Sequence, residues 1–176
     1  MQTLSLDDFV DDKPWRDDIP LLEDISNGNL IAGVRIQRLI TRGDERGDLT
    51  VLMSALREPI TPPPHVYLVS AEAGSIRAWV YHRRQFDRLA YTNGDIRVVL
   101  YDLREDSPTY RKLEIIDVGA ANKVLLTIPP CVVHGVQNRG KSTATFVNMP
   151  TNFYDPETPD KSRIPFDHPG VPYRFE

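Results

Sequence analysis

The stretch Gly74-Ser-Ile-Arg-Ala-Trp-Val-Tyr-His-Arg-Arg-Gln-Phe-Asp-Arg-Leu-Ala-Tyr-Thr-Asn-Gly94 decides the fold, together with a later one, Ile128-Pro-Pro-Cys-Val-Val-His-Gly-Val-Gln-Asn138. In the first, a glycine opens a strand in which Ile76, Ala78, Val80 and His82 recur with a period of two. They therefore share a face, and His82 points wherever the smaller residues point. Asp87 follows five residues after His82, and Asn93-Gly94-Asp95 is a strong hairpin signal. In the second stretch Pro129 ends a strand, His134 lies five residues on, and Asn138 four beyond that.

Around these stretches the chain reads as many short strands. Residues 1–28 are rich in Asp, Pro and Gly, with room for at most a short helix around Leu21 to Ile25. They are read as an arm, with Trp15 as an anchor against a partner subunit. From Leu30, β-branched and aliphatic runs at 30–40, 49–56, 66–70, 75–82, 86–91, 96–101, 112–118, 124–128, 132–137 and 143–149 alternate with turn signals such as Arg42 to Gly47, Pro59 to Pro64, Ser107-Pro108 and Arg139 to Lys141. Close-spaced strands with no helical periodicity between them predict an all-β sandwich or barrel over residues 29–176. The proline-rich tail from Tyr154 to Glu176 suits a segment lying over a barrel mouth without joining a sheet.

The two opening stretches resemble the paired motifs of cupins, G-x5-H-x-H-x4-E-x6-G and P-x-G-x2-H-x3-N, with Val80 in the first histidine's place and Cys131 in the glycine's. The resemblance implies a jelly-roll barrel of two antiparallel sheets. Composition narrows the partners. The chain of 176 residues is long enough for one domain with a sizeable core, and its net charge of −4 argues against duplex nucleic acid. One cysteine excludes an intrachain disulfide, so Cys131 is expected reduced and buried. An acidic N-terminus and the lack of a long apolar run predict a cytoplasmic protein with no membrane span.

Longer motifs resemble the dTDP-4-dehydrorhamnose 3,5-epimerase family. They are Asp44-Glu-Arg-Gly47, Ile76-Arg-Ala-Trp79, Asp102-Leu-Arg-Glu-Asp-Ser-Pro-Thr-Tyr110, Ala121-Asn-Lys123 running into Ile128-Pro129 and His134-Gly135, and Thr151-Asn-Phe-Tyr-Asp-Pro156. The family implies a homodimer that needs no cofactor and binds a nucleotide-diphosphate sugar in the barrel. Carried over residue by residue, Arg46 and Arg77 would pair with the diphosphate, since a guanidinium fork suits phosphate oxygens, and His65 and Tyr67 would line the sugar pocket. Asp102 and His134 match an aspartate and a histidine that the family keeps together.

The catalytic positions depart from the pattern. The family's general base falls on Val80, its general acid on Phe153, a glutamate on Val51, and the W-[DN]-D aspartate on His168. Three readings stay open. The first is an epimerase or isomerase on a dTDP-4-keto-6-deoxy sugar, with His82 or His134 as base, Asp102 as the orienting carboxylate and His168 as a second candidate or a mere surface residue. The second is a metal-dependent cupin using His82, Asp87 and His134, two imidazoles and a carboxylate with open positions. The third is a sugar-nucleotide-binding cupin without turnover.

Overall fold

The computed structural model describes residues 4–12, 20–25, 28–56 and 59–176. Their strands are β1 Leu22–Asp24, β2 Arg35–Leu39, β3 Thr41–Asp44, β4 Gly47–Thr50, β5 Tyr67–Ala71, β6 Ile76–His82, β7 Asp87–Tyr91, β8 Asp95–Asp102, β9 Leu113–Gly119, β10 Val124–Ile128, β11 Val132–Asn138, β12 Ala144–Asn148 and β13 Lys161–Arg163. The only helix among the described residues is one 3-10 turn, Leu6–Asp8. No helix there is long and apolar enough to cross a membrane.

Two antiparallel sheets form the body. One has the order β1-β2-β10-β7-β12-β5 and the other β13-β6-β11-β8-β9, while β3 and β4 pair only with each other. The non-consecutive neighbours are what the jelly-roll reading requires. Alternation along β8, β10 and β11 sends Ile96, Val98, Leu100, Leu126 and Val132 into the space between the sheets, where they pack on Tyr91 and Phe146. Hairpin geometry locks the register at Gly94, whose φ is +75° and where an added Cβ would stand 2.3 Å from that of Ala144. Beside it Asn93 accepts from the Thr145 backbone at 2.8 Å, tying the turn to β12.

Four sequence expectations change. Leu22–Asp24 is not a helix but an edge strand, because its backbone pairs with Gln37 to Leu39. Arg42 to Gly47 is not merely a turn, since it supplies parts of both strands of a hairpin. Lys161–Arg163 of the tail does join a sheet, with Lys161 opposite His82 and Arg163 opposite Val80. Beyond it the tail covers the outer face of that sheet, where the Trp79 indole N–H donates to the Phe166 carbonyl at 2.9 Å and Val171, Tyr173 and Phe175 pack on the ring. Cys131 is only partly buried and has φ of 62°, the region glycine adopts most readily and so the physical reason the motif carries glycine there. Trp15 lies outside the described residues.

The alternation expected along β6 also breaks. Pairing with β11 shifts register between His134 and Val136. Arg77 and Val80 thereby line the same cavity, while Ala78, Trp79 and Tyr81 pack under the tail.

Asp102 occupies the end of β8 with no exposed surface. Its carboxylate accepts from Arg104 Nε at 2.8 Å, Arg104 Nη2 at 2.8 Å, Ser107 Oγ at 2.7 Å and Thr109 Oγ1 at 2.7 Å. The D-x-R-x-x-S-P-T motif is thus a turn folded around its own aspartate, and Arg104 Nη2 also donates to the Ala32 carbonyl at 2.7 Å. Burial disfavours ionisation of Asp102, but the bonds from Arg104, Ser107 and Thr109 outweigh it and hold the carboxyl well below its ordinary value of 3.8. A depressed folded-state pKa gives stability that is complete above that ordinary value and fades as pH falls below it. Asp102→Ala is expected to cost on the order of 3 kcal/mol by stranding Arg104, Ser107 and Thr109. In urea melts at several pH values, the gap between variant and wild type should be full at pH 6 and shrink below pH ~4. An equal gap at every pH would show that the carboxylate's charge contributes nothing.

Candidate active site

Between the sheets the strands bring together three buried groups, His82 at the end of β6, Asp87 at the start of β7 and His134 in β11, each no more than 6% exposed. Asp87 comes from the six-stranded sheet and both histidines from the five-stranded one. Its Oδ2 lies 3.4 Å from His82 Nε2 and 3.3 Å from His134 Nε2. The other oxygen, Oδ1, accepts from Gln85 Nε2 at 2.7 Å and Asn148 Nδ2 at 3.2 Å. Burial opposes ionisation of Asp87, but the hydrogen bonds from His134 and His82 overcome it and keep the carboxylate charged, well below the usual range.

The ring nitrogens are set by what faces them. His134 Nδ1 lies 3.1 Å from the Val132 carbonyl. A carbonyl can only accept, so that nitrogen carries a proton. His82 Nε2 has two neighbours, Asp87 Oδ2 and, at 3.5 Å, Gln85 Nε2. The ionised carboxylate prevails, because a charge-assisted bond is about twice as strong as a neutral one, and Nε2 donates to it. His82 Nδ1 is then left with its lone pair, buried and without a hydrogen-bond partner. Its nearest charged neighbour is Asp160 Oδ2 at 3.8 Å, a carboxylate pinned by the Arg84 and Gln85 backbone N–H groups.

Two adjoining cavities meet here. One, of about 370 Å³, is lined by His65, Tyr67, His82, Phe153, Asp160 and Lys161. The other, of about 100 Å³, is lined by Arg77, Val80, Asp87, His134, Lys161 and Arg163. Tyr67 and Lys161 border both. The side chains of Arg77, Lys161 and Arg163 make no hydrogen bond or ion pair among the described residues, so three cations face one space without an anion of their own. Burial holds the Lys161 amine below its ordinary value, and the nearby arginines add to this against the pull of Asp87. A larger cavity, about 700 Å³, is lined by Leu21, Ile40, Leu49, Val51, Leu56 and the β3–β4 hairpin and shares no residue with these two. We assign the site to the smaller pair because the convergent polar groups are there.

Several expected residues meet. His82, Asp87 and His134 converge, and Tyr67, His65 and Arg77 border the same space, with the His65 ring stacked 5.5 Å from that of Tyr67. Two do not. Among the described residues no hydrogen bond joins Asp102 to His134: its carboxylate is taken up by its own turn, and Asp87 meets the histidines instead. Arg46 does not converge with Arg77 within the chain, since it sits at the exposed hairpin tip bonded to Asp44 and borders the other cavity. His168 is exposed and accepts from the Gly170 backbone at 3.1 Å, a turn residue. Lys161, Arg163, Asp160, Gln85 and Asn148 were not foreseen. Only the pairing of β13 with β6 places the first two, and nothing in the local pattern announces it.

A double-sheet jelly roll with a buried histidine pair and cationic rim defines a small-molecule-binding barrel of the cupin kind. The chain belongs to the dTDP-4-dehydrorhamnose 3,5-epimerase family, whose model matches residues 30–172. It is 32% identical over 146 residues to the spore coat polysaccharide biosynthesis protein SpsL of Bacillus subtilis, covering 83% of this chain and 97% of that one. It is 37% identical over 139 residues to a probable low-salt glycan biosynthesis epimerase, Agl13, of Haloferax volcanii, covering 78% and 89%. Among solved structures it is similar to a dTDP sugar isomerase from Desulfovibrio desulfuricans, with a TM-score of 0.76, 27% identity and coverage of 81% and 90%. The chain is thus an epimerase-like enzyme of the dTDP-sugar epimerase and isomerase group.

Proposed function

We propose that this protein epimerises or isomerises a dTDP-linked 4-keto-6-deoxy sugar, with His82 as the base. The observation that carries the reading is His82 Nδ1, a buried lone pair with no partner in a ring oriented by Asp87 through its other nitrogen. An unsatisfied buried acceptor is costly to keep unless it serves a purpose. The carbon next to a ketone is acidic enough for an imidazole to deprotonate within a polar cage. Charge then passes to His82, where Asp87 at 3.4 Å and Asp160 at 3.8 Å stabilise the imidazolium. His134 keeps Asp87 ionised from the other side. Arg77, Arg163 and Lys161 suit a diphosphate at the rim, and the His65 and Tyr67 rings suit the sugar face.

The base stands two residues beyond Val80, about 6.5 Å along the strand, so one substrate carbon is within its reach and a second is not. In D₂O, NMR of a dTDP-4-keto-6-deoxy sugar is expected to show deuterium uptake at one ring carbon. His82→Asn should slow it by at least ~10²-fold. Arg77→Ala should abolish the rise in melting temperature that thymidine diphosphate gives the wild type. Rapid uptake at both C3 and C5 would overturn the single-carbon reading.

One geometric observation favours a second reading. His82, Asp87 and His134 offer three ligand atoms all within 4.8 Å of one another. Two of the three are also held from behind, His134 by the Val132 carbonyl and Asp87 by Gln85 and Asn148, as metal ligands commonly are. Such a set could hold a divalent ion. Elemental analysis of the purified protein decides: a stoichiometric transition metal that is lost in His134→Ala supports this reading, and a metal-free active protein removes it.

We further propose a homodimer. The β3–β4 hairpin joins neither sheet and leaves Leu49 64% exposed beside the large apolar cavity, a surface a second copy would cover. Sedimentation at micromolar concentration should give about twice the chain mass. A 20.0 kDa species alone would contradict it.

A further inference from the structure

A base at His82 leaves open which group returns a proton, because Phe153 carries no hydroxyl and is 75% exposed at the cavity edge. Three phenols border the two cavities near it. Tyr154 borders the same cavity but is 68% exposed, and no hydrogen bond holds its phenol among the described residues. Tyr91 borders only the smaller cavity, away from His82 and Phe153, and no hydrogen bond fixes the direction of its hydroxyl. Tyr67 alone is both accessible and held.

What holds it also fixes which way it points. Asn148 stands opposite Tyr67 in the β12–β5 pairing, and its Nδ2 donates to the Tyr67 hydroxyl oxygen at 2.8 Å and to Asp87 Oδ1 at 3.2 Å. The amide nitrogen can only donate, so the phenol oxygen accepts there, and its own hydrogen is left for the cavity. Burial first, and the Asp87 charge second, raise the Tyr67 phenol above its ordinary value, so it stays protonated at neutral pH. Tyr67 rises from the six-stranded sheet and His82 from the five-stranded sheet facing it. Both line the larger of the two cavities, so a sugar ring held there lies against the base from one sheet and the phenol from the other.

We propose that Tyr67 is the general acid of this site, taking the role that Phe153 cannot fill. The inference rests on the epimerase reading. His82 Nδ1 takes the proton from the carbon beside the ketone, and the electron pair moves into an enolate. Tyr67 then gives its O–H proton to that carbon from the opposite face, which inverts the centre with no net oxidation. The imidazolium and phenolate left behind are neutralised by proton exchange with water when product leaves the open mouth. Asn148, donating to both Tyr67 and Asp87, positions the acid relative to the carboxylate that orients the base.

The test compares wild type with Tyr67→Phe, which keeps ring and fold and removes only the hydroxyl. The variant should melt within a few degrees of the wild type and keep the full thymidine diphosphate shift. Its rate of forming epimerised product from the dTDP-4-keto-6-deoxy sugar should fall by at least ~10²-fold. Replacing Tyr67 by 3-fluorotyrosine, a more acidic phenol of nearly the same shape, should preserve turnover and move the basic limb of the pH–rate profile to lower pH. Product formation by Tyr67→Phe within about twofold of wild type overturns the assignment while leaving the epimerase reading intact. A fall in thymidine diphosphate binding equal to the fall in rate makes Tyr67 a binding contact and also overturns it. A wild type that exchanges no carbon-bound proton overturns the epimerase reading and the assignment together.

Discussion

The bridge made by Asp87 between two histidines is the constraint around which the barrel interior is arranged. A carboxylate with only 4% of its surface exposed would be untenable alone, because an isolated ion in an apolar medium loses its hydration without replacement. Four side chains replace that hydration. His82 and His134 approach one oxygen and Gln85 and Asn148 the other, and together they draw β6, β7, β11 and β12 into one register. Since the aspartate belongs to one sheet and the histidines to the other, the same contact spans the sandwich at the point where a ligand would enter.

Asp87 and Asp102 show how two buried carboxylates take different roles. Both are ionised against the cost of burial. Asp102 is satisfied within eight residues of chain by Arg104, Ser107 and Thr109, so its bonds close a turn and leave nothing over for a ligand. Asp87 is satisfied by groups from three other places in the chain, two of them imidazoles whose remaining nitrogens have their own surroundings. One of those nitrogens, His82 Nδ1, is unclaimed. In the proposed site the functional carboxylate is the one with a partner whose second nitrogen has no hydrogen bond of its own.

The tail turns a barrel into a site. By pairing with β6, the short strand β13 aligns Lys161 with His82 and Arg163 with Val80, which adds two cations to Arg77 around one cavity. Valine at position 80 makes room beside them where a bulkier base would stand. In the proposed mechanism a displaced imidazole and a phenol on the facing sheet take the base and acid roles that Val80 and Phe153 cannot.

Much of the fold was legible because strand alternation and turn chemistry are local. The runs at 75–82, 96–101, 124–128 and 132–137 became β6, β8, β10 and β11 nearly to the residue, and Asn93-Gly94 formed its hairpin. The cupin motif match grouped His82, Asp87 and His134, which periodicity alone could not, since they come from two different sheets. Local patterns failed where pairing between distant segments decides. A register shift between His134 and Val136 turned Arg77 toward Val80, and edge pairing made strands of Leu22–Asp24 and Lys161–Arg163, which carry little strand propensity of their own. Motif matching set Asp102 beside His134, whereas hydrogen-bond geometry gave it to its own turn. Which oxygen meets which nitrogen depends on ångström distances between sheets, and only the tertiary structure determines those.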